Sequence, residues 1–175
     1  MYERCSAPQY LTGGIEDGYE GNRGRLSLIT VLSVLELDSK AEVVLSTTTA
    51  NFGKSPRLHI IDTHFWSGRA ISGFPALHKN FYAVPKQQGT LPQGIKWGLV
   101  YADGDETTAR KWVAAFDTTA GKAYAEAGPI GPVDWNVVEV KLDASESKSI
   151  YTDPIMGGIT TAEINGLTAK AIFSG

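Results

Sequence analysis

The chain has one cysteine, Cys5, in 175 residues, which excludes an intramolecular disulfide framework and makes the cytoplasm the expected location. Long hydrophobic runs are also missing. No stretch approaches the ~18 apolar residues of a membrane-spanning helix, and "MYERCSAPQYLTGGIEDGYEGNRGR" at the N-terminus lacks the apolar segment of a signal peptide. Charge of one sign is scarce: a formal net charge of −3 offers no basic field to a phosphate backbone, so nucleic acid is not an expected partner. The glycine clusters "GNRG", "GGI" and "GPIGP" match neither a P-loop nor a dinucleotide fingerprint, and no cofactor is expected. Of the three histidines, His59 and His64 are separated by an odd number of residues, which puts them on opposite faces of a regular strand. His78 lies in another segment, and no metal site is expected.

What remains is an ordinary globular composition, 42% hydrophobic and 20% charged, in a length that suits one domain with a real core. Residues 1–25 are rich in Gly, Tyr and charge without a period and read as an irregular arm. "LSLITVLSVLELD", residues 26–38, is the most apolar run. Leu28, Val31, Leu32 and Leu35 have helical spacing, while the β-branched content also suits a buried strand; helix is the reading, with strand left open.

From Glu42 onward the signals turn to β. "EVVLSTTT" and "RLHIIDTHFW" are rich in β-branched and aromatic residues, and "ANFGKSP" between them carries hairpin-turn chemistry. Strict alternation puts Leu58, Ile60, Asp62, His64 and Trp66 on one face and Arg57, His59, Ile61, Thr63 and Phe65 on the other. Leu58 and Ile60 are then the core of that face and His64 sits near solvent or a cleft. A proline-broken connection follows, with Phe81–Val84 as an edge strand. "IKWGLVYA" and "KWVAAFD" align Ile95, Trp97, Leu99 and Tyr101, then Trp112, Ala114 and Phe116; "DGDETTAR" is the loop between them. "GKAYAEAG", "WNVVEVKL", "ITTAEI" and "LTAKAIF" complete a series of short strands. The expected fold is all-β: a single-domain β-sandwich over 26–175, preceded by a short N-terminal extension with room for one helix.

Two chemistries are open. Asp62 and His64, two residues apart, share a face, and a carboxylate beside an imidazole can orient it as a base. That is the enzyme alternative, a small-molecule isomerase, cyclase or hydrolase, although "WSGR" around Ser67 is not a nucleophile elbow. The favoured reading is a non-enzymatic binding site. Trp66 at a strand end and Trp135 in the turn-like "GPVDWN" stand outside the core alternation, where amphipathic aromatics stack on sugar rings or meet lipid head groups. His64, Tyr82 and Tyr124 join them as candidate ligand-binding residues, and the expected partner is a glycan, a lipid head group or a small plant metabolite.

The order of motifs carries a resemblance. "VVLSTTTANFGKSPRLHIIDTHFWSG", "GFPALHKNFYAV", "GIKWGLVYADGD", "KWVAAFD" and "AYAEAG" together resemble the small jasmonate-induced proteins of plants, over roughly residues 42–165. That resemblance implies a stress or defence setting and leaves the molecular activity open. More distantly, the same order looks like the β-sandwich of actinoporins and aegerolysins, which bind membrane lipids. Actinoporins carry an amphipathic segment where residues 26–38 stand here, and this implies a third alternative, a lipid-triggered pore former. The chain departs from them after "AAFD", where "TTAGKAYAEAG" lacks a dense aromatic cluster, and it has no RGD tripeptide.

Overall fold

The computed structural model describes residues 40–175; the arm over 1–25 and the apolar run over 26–38 lie outside them, and so do the expectations placed on both. The described chain forms two sheets of mostly antiparallel strands and one short helix. The first sheet has the order β10 (Lys148–Thr152), β11 (Ile159–Asn165), β12 (Thr168–Ser174), β1 (Glu42–Asn51), β6 (Lys86–Thr90) and β3 (Arg69–Ala70), with β5 (Tyr82–Ala83) also paired to β1. The second has the order β4 (Leu77–His78), β2 (Arg57–Ser67), β7 (Lys96–Ala102), β8 (Arg110–Asp117) and β9 (Lys122–Pro129). The architecture is the all-β sandwich read from the strand pattern. Among the described strands only β1 and β12 run parallel.

The main core lies between the sheets. Leu45 and Phe173 from the first sheet meet Leu58, Trp97, Leu99, Tyr101, Trp112 and Phe116 from the second, all buried. The alternating residues of "IKWGLVYA" and "KWVAAFD" supply most of it, as their period of two requires. A second, smaller cluster sits on the outer face of the second sheet, where Val100, Val113 and Ala115 are covered by Val138 and Leu142 of helix α1 (Trp135–Asp143).

The helix is a correction, because "WNVVEVKL" reads as a strand by composition. Asp134 caps it, accepting from the backbone N–H of Asn136 (3.0 Å) and Val137 (3.3 Å), which satisfies donors a helix start leaves open. Val138 and Leu142, one turn apart, are its buried residues, so packing on the sheet outweighs the β-branched content. The turn "ANFGKSP" is a second correction: β1 and β2 belong to different sheets and do not pair. The buried Asn51 organises that crossing. Its amide donates to the carbonyls of Ser55 (3.0 Å) and Leu77 (3.2 Å), and its oxygen accepts from Gly53 N–H (3.0 Å). Strands β6 and β10 are polar at sequence level and become strands through pairing with β1 and β11.

Candidate functional site

Strand β2 does not keep a single alternation. Its register against β7 slips between Ile60 and Asp62 and again between Phe65 and Ser67. Each bulge opposes two residues to one and turns the following side chains over. Ile60 pairs with Tyr101 on the inner face, whereas Asp62 pairs with Val100 and His64 with Gly98 on the outer face. The expected face of Leu58, Ile60, Asp62, His64 and Trp66 is therefore broken at Ile61. Leu58 and Ile60 pack into the main core, and Phe65 stacks on Trp97 at 5.7 Å. Asp62, His64 and Trp66 stand on the opposite side of the sheet.

The first bulge also brings His59 and His64 to one face, but their β7 partners, Ala102 and Gly98, are four residues apart, about 13 Å. His59 meets Asp105 instead, at 3.1 Å. Among the described residues no group of three or more His, Cys, Asp or Glu could hold a metal ion.

Trp135, first residue of α1, closes the site from above. Its indole stacks on the imidazole of His64 (5.3 Å, 15° between planes) and its Nε1 donates to Asp62 Oδ2 at 2.9 Å. Trp66 meets both rings edge-on, at 4.8 Å from His64 and 5.8 Å from Trp135. The three rings are partly exposed and Asp62 is exposed. The close approach depends on Gly98: a Cβ there would lie 2.5 Å from the Trp135 ring. Asp62 Oδ1 accepts from Thr63 N–H at 2.8 Å, so the hydrogen bonds of this carboxylate go to Thr63 and Trp135 and not to His64.

Lysine side chains fasten the helix over the sheet. Lys96 bonds Glu139 and Asp143, both at 2.8 Å, and its ammonium lies 5.6 Å from the centre of the Trp66 ring. Burial draws its pKa down, but the two carboxylates outweigh that and raise it above the ordinary lysine value. On the far side of the helix, Lys141 pairs with Glu126 of β9 at 2.9 Å. Tyr124 donates to the same carboxylate, and burial followed by that bond pushes its phenol up to about 12.

The candidate residues are thus divided. His64, Gly98, Ala115 and Tyr124 form one row across the four strands β2, β7, β8 and β9 on the outer face. Tyr124 stands about 14 Å from His64 along that row, across three strand spacings. Tyr82 is on the first sheet, where with Phe52 and Ile172 it lines a shallow cleft of about 290 Å³. Asp62, His64, Trp66 and Trp135 come together; Tyr82 and Tyr124 do not join them. Sequence reasoning missed Lys96 and Gly98. A small residue in an otherwise bulky apolar strand was the available sign of a close approach at Gly98, but its partner lay 37 positions away, which no local pattern reveals.

Fold and site together define a β-sandwich with a helix on one face and a partly exposed aromatic patch at the helix start. No family model matches the chain, and no curated relative matches it. Solved structures do. The lipid-binding protein Nakanori, solved at 1.5 Å, superposes with a TM-score of 0.60 at 11% identity, covering 81% of this chain and 75% of that one. The wild-type lectin of Xerocomus chrysenteron gives a TM-score of 0.48 at 11% identity, over 75% of this chain and 99% of the lectin. At that identity the likeness to Nakanori concerns the fold, and it agrees with the β-sandwich resemblance read from the motif order. Among the described residues no helix is long and apolar enough to cross a membrane.

Proposed function

We propose that the protein is a non-enzymatic binding module that takes a glycan or a lipid head group on the His64–Trp66–Trp135 patch. The observation that carries this is three aromatic rings within 4.8–5.8 Å of one another, partly exposed, beside an exposed carboxylate. Such rings offer a face to the C–H side of a sugar or to a choline-like cation, and Asp62 offers an acceptor or a negative charge at the rim. The same fold in Nakanori belongs to a protein described as lipid-binding, which is consistent with this use. The enzyme alternative has less support, since the Asp62 carboxylate bonds Trp135 and leaves His64 without its orienting partner. The motif resemblance supports a plant stress or defence setting, and the single cysteine supports a cytoplasmic one. A fluorescently tagged chain imaged in plant cells tests the latter; accumulation in the secretory pathway would refute it.

Binding to a glycan array and to vesicles of varied head group, read by tryptophan fluorescence, tests the site. Trp66→Ala should weaken binding about tenfold while leaving folding intact, the scale of one stacked aromatic contact. His64→Ala should cause a smaller loss of affinity. If Trp66→Ala binds like the parent, the patch is not the site. A measurable reaction abolished by His64→Ala with affinity unchanged would replace the binding reading with the catalytic one.

A further inference from the structure

A second site is suggested at the corner where the chain twice changes sheets. Strand β2 ends at Ser67, the backbone turns at Gly68 with φ +83°, and β3 continues in the other sheet beside β6. Next to it β6 passes through Gly94, φ +63°, into β7 of the second sheet. The two crossings border an open cleft of about 550 Å³, within the roughly 300–1,000 Å³ of small-molecule sites. Bare backbone forms part of its wall. A Cβ on Gly68 would fall 2.7 Å from the Gln88 carbonyl, and one on Gly89 would fall 2.2 Å from the Gly94 carbonyl, so this wall tolerates little rearrangement.

The side chains lining the cleft are polar and hydrogen-bonded to one another. Arg69 Nη2 donates to Gln88 Oε1 at 2.7 Å, and Gln88 Nε2 donates to Glu42 Oε2 at 2.8 Å. This chain fixes the orientation of the amide and places guanidinium donors, an amide and a carboxylate acceptor side by side. Further donors and acceptors come from Thr90 and Gln93, whereas the Ser67 hydroxyl is already engaged, donating to the Gln93 carbonyl and accepting from Lys96 N–H. Alternating donors and acceptors are what neighbouring hydroxyl groups require, since each hydroxyl both gives and receives a hydrogen bond. One cation beside one anion leaves the cleft without the excess positive charge that would select phosphate or carboxylate.

We propose that this cleft is a binding site for a neutral, hydroxyl-rich ligand of the size of a mono- or disaccharide, separate from the aromatic patch. It does not depend on the patch being functional. The test is a titration of the isotope-labelled chain with glucose, galactose, N-acetylglucosamine and lactose, with inorganic phosphate as the charged comparison. Chemical shifts are followed at Arg69, Gln88 and Gln93 and at the indoles of Trp66 and Trp135. At least one neutral sugar should shift the cleft signals saturably. Gln88→Ala should weaken that binding about tenfold, the scale of losing one hydrogen bond to a charged network. Trp66→Ala should leave it unchanged, and Gln93→Trp should abolish it by filling the cleft, with thermal melts confirming that each variant is folded. Absence of any saturable shift at the cleft, a response to phosphate alone, or a sugar response removed by Trp66→Ala and kept in Gln88→Ala would each overturn the proposal.

Discussion

The two outer faces of the sandwich differ in what covers them. On the second sheet, helix α1 lies over Val100, Val113 and Ala115, so β7 and β8 are buried on both sides. On the first sheet, the row Ile150, Thr161, Ile172, Ala50 and Tyr82 crosses β10, β11, β12, β1 and β5, with Ile150 62% and Tyr82 69% exposed. The covered strands read as nearly continuous apolar runs, "WGLVYA" and "WVAAF", because neither face meets water. Strands β11 and β12 alternate buried and less buried residues, because one face does. The aromatic patch belongs to the covered face: its rings are held by the helix that crosses it, and among the described residues no helix lies over the opposite face.

Substitutions can break or sharpen this contrast. The largest loss should come from Trp112→Ala, in the core that both sheets share, at about 3–5 kcal/mol in urea unfolding. A loss below about 1 kcal/mol would mean that the site collapses and the two sheets are less tightly joined than their packing indicates.

Next comes Gly98→Ala, which collides with Trp135 and should cost about 1–3 kcal/mol. It should also change the near-UV circular dichroism as the indole leaves His64; an unaltered spectrum would show that Trp135 does not rest on Gly98 in solution. Asp134→Ala removes the helix cap and should cost about 1 kcal/mol, together with a drop in helical signal. Retained helicity and an unchanged melt would place the anchoring of α1 wholly in its buried residues and lysines.

The covered face should respond to acid as well. Burial alone would raise the Glu126 pKa, but hydrogen bonds from Tyr124 and Lys141 and the charges of Lys141 and Lys111 hold it below the ordinary glutamate value. A depressed native pKa contributes stability that is full above the ordinary glutamate range and is lost as pH falls through the native value. Thermal melts of parent and Glu126→Gln should therefore differ at neutral pH and converge in acid; a constant gap across the titration would refute the linkage. Last, Ile150→Thr on the uncovered face should lie within about 0.5 kcal/mol of the parent. A larger loss would reveal that something covers that face too.

Local patterning carried much of the fold. Where a strand has one environment along each face, as in β7, β8, β11 and β12, a period of two survives into the structure, because backbone geometry alone assigns alternate side chains to alternate faces. That is why Trp97, Tyr101, Trp112 and Phe116 are legible as core from the sequence alone. Other outcomes depended on partners far along the chain. The bulge at Ile61, which turns Asp62, His64 and Trp66 away from Leu58 and Ile60, arises from pairing with β7 and leaves no mark in the composition of "HIIDTHFWSG". The helix in "WNVVEVKL" was written in Asp134 and in the spacing of Val138 and Leu142, but it prevailed over β-branched content only because Val100, Val113 and Ala115 gave it a surface to bury. The meeting of Trp66 with Trp135, 69 residues apart, was decided by that docking. Alternation and capping act between neighbours, whereas register and docking depend on which distant surfaces fit together, and only the tertiary structure makes that choice.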